Sequence, residues 1–87
     1  MIYNKIYIGS NNETKKVEKE KLFEIISNWG YDFTGIDTIG YYKGEKENSI
    51  IIEIYGEINI NMIHELKRVL KQYSIIHVID YKQVNFI

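Results

Sequence analysis

Ser49-Ile50-Ile51-Ile52-Glu53-Ile54-Tyr55 is the stretch on which the fold turns. Its alternation sets Ile50, Ile52 and Ile54 on one side and Ile51, Glu53 and Tyr55 on the other, the period of a β-strand. A strand this apolar invites aggregation if it lies at a sheet edge, so the pattern predicts a central position with one face covered. Gly56 ends it.

Upstream, Phe33 to Lys43 reads as a second extended segment, whose Gly35 and Gly40 predict a bulge or a close backbone approach. Gly44 to Asn48 reads as a polar hairpin loop joining it to 49–55. Before these, Leu22, Ile25, Ile26 and Trp29 fall at i, i+3, i+4 and i+7, which predicts a helix over 15–29 closed by Gly30, with Val17 stapling its start. The N-terminal segment alternates again. Ile2, Ile6 and Ile8 share one face, interrupted by Asn4, and Tyr3, Lys5 and Tyr7 share the other. Downstream, Asn61 is a good N-cap for a helix over 61–73, with Ile63, Leu66, Leu70 and Tyr73 as its apolar stripe and Gln72 facing water. Ile75 to Asp80 reads as a fourth strand, and 81–87 either continues it or forms a short fifth.

This order predicts an α+β, ferredoxin-like βαββαβ fold, a single domain over 1–87. Its four-stranded, mainly antiparallel sheet carries both helices on one face. The expected core is Ile6, Ile8, Leu22, Ile25, Ile26, Trp29, Ile50, Ile52, Ile54, Leu66 and Leu70. The other face is left open and displays Tyr3, Lys5, Tyr7, Ile51, Glu53 and Tyr55, the predicted binding surface. Eight Tyr in 87 residues is a high count, and Tyr joins a large contact area to a polar tip. Contiguous apolar area of this kind predicts a protein partner or a homodimer that buries the face against its own copy.

Composition narrows the function classes. A net charge of −1 argues against a phosphate-driven nucleic-acid binder and against a polybasic membrane anchor. Apolar runs such as Ile50-Ile51-Ile52 are far shorter than a membrane span requires, and the N-terminus does not read as a secretory signal, so the expected location is cytoplasmic. With no Cys there is no disulfide and no thiolate metal site. The two His, His64 and His77, sit on different elements, so neither a metal nor another cofactor is expected. The serines lie at element ends and form no nucleophile elbow. Asp37, Glu53 and Asp80 fall in predicted strands, where a carboxylate stands out, and Asp80 interrupts an otherwise apolar run. Gly9-Ser10-Asn11-Asn12 precedes a helix, a place where an anion can meet N–H groups, although it lacks a phosphate-loop glycine pattern.

Lys5-Ile6-Tyr7-Ile8-Gly9, Val17 to Ile26, Phe33-Thr34 with Gly40-Tyr41-Tyr42, and Ser49 to Tyr55 together resemble a family of short uncharacterised bacterial and phage proteins. Its pattern is an aromatic-rich first strand ending in Gly, a helix, and a Phe-Thr…Gly-aromatic strand, and it brings no assigned activity. The richness in Ile, Lys, Asn and Tyr, all written by A/T-rich codons, points to a low-GC bacterium or its phage. The leading expectation is a non-catalytic protein with no enzymatic activity. It would bind a host protein stoichiometrically, as a phage or mobile-element inhibitor of a defence system in the anti-CRISPR manner. The alternative is an oligomer that senses or sequesters a nucleotide or metabolite at a subunit interface. A second alternative is a small ferredoxin-like isomerase or cyclase using one pocket carboxylate.

Overall fold

The computed structural model describes residues 2–87. In chain order its elements are β1 (Tyr3–Ile8), α1 (Lys19–Asn28), β2 (Phe33–Tyr42), β3 (Glu45–Tyr55), α2 (Ile60–Val69), β4 (Ile76–Ile79) and β5 (Gln83–Phe86). The strands form one antiparallel sheet in the order β2-β3-β1-β4-β5. The four-stranded expectation is thereby corrected: residues beyond the fourth strand add a fifth at the edge. Asp80 and Tyr81, both with positive φ, turn the chain back so that Gln83–Phe86 pairs with β4. The Ile-rich β3 lies inside the sheet, between β2 and β1.

One core joins the layers. Ile6 and Ile8 of β1 and Ile50, Ile52 and Ile54 of β3 pack with Leu22 and Ile26 of α1 and with Ile63 and Leu66 of α2. Leu70, Ile58 and Ile75 complete it, so both helices lie on the same sheet face. Burying an aliphatic side chain contributes roughly 1.5–3 kcal/mol, and this cluster is the main source of stability in a short chain without cross-links. Ile25 and Trp29, expected inside, are only partly buried and pack against the core's margin.

Both helices are shorter than the 15–29 and 61–73 predicted. Asn11 accepts from Glu13 N (2.7 Å) and Thr14 N (3.1 Å), and Lys15 takes a φ of 63°, so the chain turns there and α1 starts at Lys19. The N-cap of α2 is Asn59, not Asn61, its Oδ1 accepting from Met62 N at 3.1 Å. Because α2 stops at Val69, the helical period no longer governs 72 and 73. Tyr73 is exposed, whereas Gln72 is buried, accepting from Gly9 N and donating to Gly9 O, Ser10 O and Leu70 O.

Two glycines decide local geometry. A Cβ on Gly35 would lie 3.2 Å from the Phe23 ring, so this glycine marks a close approach of β2 to α1, within an unbroken ladder from Phe33 to Tyr42. Gly44, at φ 81°, follows Lys43 at φ 50° in a two-residue turn, so Glu45 to Asn48, expected in a loop, belong to β3.

Candidate functional site on the open sheet face

Register builds the face that the helices leave uncovered. Tyr3 lies opposite Tyr55, Lys5 opposite Glu53 and Tyr7 opposite Ile51. The neighbouring strands extend two of these rows. Ile36, Ile51, Tyr7, Ile76 and Phe86 follow one another across all five strands, and beside them run Thr34, Glu53, Lys5, Val78 and Val84. The first row is wholly apolar or aromatic. The second holds one acid and one base side by side at its centre. The six residues picked out in the sequence therefore share one surface, because the side-chain period of a strand is two.

Their exposure is uneven. Tyr55 and Tyr7 are open to solvent, Lys5, Ile51 and Glu53 are half-buried, and Tyr3, expected as an exposed ring, is only 4% exposed. Two aromatic neighbours account for this. The Tyr81 ring is stacked on Tyr3 with centroids 4.3 Å apart and planes 6° from parallel, and Tyr55 tilts against it at 5.2 Å and 58°. The Tyr3 hydroxyl donates to the Glu53 carboxylate. Burial, then the hydrogen bond to Glu53, and then the phenol of Tyr81 push the Tyr3 pKa well above the ordinary phenol value. Tyr3 thus stays protonated and supplies Glu53 with a fixed donor.

The three carboxylates singled out in the sequence do not converge. Asp80 sits at the start of the β4–β5 turn, where its Oδ1 accepts from Tyr3 N at 2.8 Å while its own N donates to Tyr3 O at 2.8 Å. Glu53 and Asp80 therefore hold Tyr3 at opposite ends, by the hydroxyl and by the backbone. Asp37 points to the helix side and pairs with Lys19 at 2.7 Å, with both side chains well exposed. The Gly9–Asn12 turn is also no anion cradle, since Gly9 N is taken by Gln72 and Ser10 N by Glu47 Oε1 at 2.7 Å. Sequence reading missed Tyr81, which only the turn brings back over β1. The available signal was the Asp80-Tyr81-Lys82 break in an apolar run.

Behind the sheet, Asn4 is fully buried. Its Nδ2 donates to Gly56 O at 2.6 Å, and its Oδ1 is 2.8 Å from Nε2 of the buried His77. Burial holds the His77 pKa below the ordinary imidazole value, so the ring is neutral and Nε2–H is the donor. Two open clefts flank the molecule. One of about 510 Å³ is bordered by Asn4, Tyr31, Glu57, Asn59 and Met62. The other, about 640 Å³, lies between Lys15, Lys16 and Lys19 and the β2–β3 hairpin. Among the described residues, no three of His, Cys, Asp and Glu gather as metal ligands, and no helix is long and apolar enough to cross a membrane.

No protein-family model and no curated protein matches the sequence. The fold is, however, similar to that of solved structures of phage SAM lyases. One is a phage SAM lyase in the apo state, similar over 99% of this chain and 87% of its own, at a TM-score of 0.77 and 23% identity. Another is a phage SAM lyase in complex with S-methyl-5′-thioadenosine, similar over 99% of this chain and 88% of its own, at a TM-score of 0.62 and 20% identity. These findings correct the expectation of a non-catalytic, anti-CRISPR-like inhibitor without enzymatic activity, because both structures are of an enzyme, one of them with a nucleoside ligand. The expectation failed for a physical reason. It required a nucleophile and base visible in the sequence, and side chains that only the folded sheet brings together leave no such spacing.

Proposed function

We propose that this chain binds S-adenosylmethionine on the open sheet face and cleaves its carbon–sulfur bond to release S-methyl-5′-thioadenosine. The observation that carries the reading is the likeness along 99% of the chain to phage SAM lyases, one with that thioether bound. The open face suits such a ligand. Aromatic rings attract a sulfonium cation and stack on a purine, and Tyr7 and Tyr55 supply exposed ones. Glu53 is a carboxylate for the ribose hydroxyls or the ammonium group, and Lys5 beside it is a cation for the ligand's carboxylate.

The chemistry follows from the substrate and the product. To leave the thioether, the bond between sulfur and the four-carbon amino-acid fragment breaks, and its electron pair passes to sulfur. A cation becomes a neutral sulfide. Because a lyase adds no water, the fragment closes on its own carboxylate, whose oxygen bonds the carbon that sulfur leaves. A step that cancels charge is favoured where water is excluded, and the open face excludes it only when covered. A second copy of the chain set against the apolar row would close this surface over the ligand, in keeping with the expected self-association.

The test is incubation of purified protein with S-adenosylmethionine, followed by chromatography and mass spectrometry. The expected result is one S-methyl-5′-thioadenosine for each substrate lost, with Glu53→Gln slower by about 10²-fold or more while still folded. Absence of product at high enzyme concentration, together with no measurable binding of substrate, would overturn the proposal.

A further inference from the structure

The turn between β4 and β5 is an adverse place for an aromatic residue. Asp80 and Tyr81 take φ values of 51° and 61°, and Lys82 N donates to Ile79 O at 3.1 Å. Two residues of positive φ closed by that bond make a type I′ turn, which favours Asn-Gly or Asp-Gly. Asp80 suits the first position. At the second, a side chain as bulky as Tyr81 is a genuine outlier. The β2–β3 hairpin of the same molecule shows the relaxed solution, with Lys43 at φ 50° followed by Gly44 at φ 81°. Tyr81 holds its conformation against backbone strain because its ring lies flat on Tyr3. The stack is nonetheless superficial, since Tyr81 is 69% exposed.

We propose that Tyr81 is a displaceable lid, and that the Tyr3 face beneath it is the seat of the ligand's purine. The inference rests on the proposed function for the identity of that base. Strain in the turn pushes the ring off, and the stack draws it on. An aromatic pair in this arrangement favours the closed state by a factor of roughly 2–12, and the left-handed backbone opposes it by a comparable factor. Open and closed states therefore lie within about an order of magnitude of each other, and a ligand of modest affinity shifts the balance. With Tyr81 displaced, a purine on Tyr3 inherits the same stack. Its ribose then reaches Glu53, which the Tyr3 hydroxyl already holds in place.

Titration calorimetry with S-methyl-5′-thioadenosine tests the lid. Tyr81→Gly removes the competing ring and gives the turn its favoured residue, so the variant folds and, with open and closed states near balance, binds about twofold more tightly than wild type. Tyr81→Phe keeps the ring and binds as wild type does. In wild type, the Tyr81 ring resonances move on ligand addition toward those of a solvent-exposed tyrosine. If wild type binds and Tyr81→Gly binds equally or less well, the lid is refuted while the proposed function stands. If none of the three proteins binds the thioether or cleaves S-adenosylmethionine, the functional proposal falls and takes the lid with it.

Discussion

Replacing Tyr3 by Phe removes one oxygen and leaves the stacked ring in place, so it isolates the hydrogen bond to Glu53 from the packing. A bond to a charged acceptor contributes about 1.5–3 kcal/mol. Glu53 is only half-buried, so water recovers part of the loss once the phenol is gone. The expected net cost is about 1 kcal/mol, which in a chain of this length lowers Tm by roughly 4–8 °C. The alkaline limb carries a second signature. Tyr3 has its pKa raised by burial and by Glu53, so the folded state keeps a proton that the unfolded chain releases near the ordinary value of about 10. The stability this provides is complete below about pH 10 and declines as pH rises from there toward the folded value. Urea denaturation from pH 7 to about pH 11 reads both effects. Wild type loses stability at the upper end, and Tyr3→Phe loses less. Ultraviolet titration of the phenols shows a late Tyr3 phenol in wild type that is missing from the variant. Equal stability at pH 7, with all eight tyrosines of the wild type titrating together, would refute the assignment of a shielded Tyr3–Glu53 pair.

Acid tests the other buried polar pair. The His77 pKa is lowered by burial, so the unfolded chain takes up a proton below about pH 6.5 that the folded state resists. Stability is therefore full above that pH and falls as pH drops below it, and a two-dimensional NMR titration should show the His77 ring taking up its proton below the ordinary imidazole value. Asn4→Ala strands the buried His77 Nε2–H without a partner, while water can reach the part-buried Gly56 carbonyl, so it should cost about 1–3 kcal/mol in urea denaturation; a loss below about 0.5 kcal/mol would contradict the hydrogen bonds assigned to Asn4. Gly56→Ala places a Cβ 2.5 Å from the Tyr31 ring at a φ of 154°, so it should destabilise by more than about 1 kcal/mol, and an unchanged Tm would show that Tyr31 moves aside freely.

Period and sign were legible from the sequence. The alternation of Ile50, Ile52 and Ile54 against Ile51, Glu53 and Tyr55 depends only on neighbours two residues apart, so it set the strand, its faces and its need for an interior place. The same local rule put Tyr3, Lys5 and Tyr7 on the open side. Helix existence was equally local, but helix ends were not, because the side chain of Asn11 and the cap at Asn59 decide them through bonds that several candidate residues could make. What the tertiary structure alone decided involves partners far apart in the chain. The turn at Asp80 and Tyr81 brings residue 81 onto residue 3, a contact no period encodes, and it converts an exposed Tyr3 into a shielded donor to Glu53. The buried Asn4 looked like a flaw in an apolar stripe until His77, 73 positions away, supplied its partner. The proposed site was hidden for the same reason: aromatic faces and one carboxylate have no sequence spacing of their own and come together only once the sheet has aligned its strands.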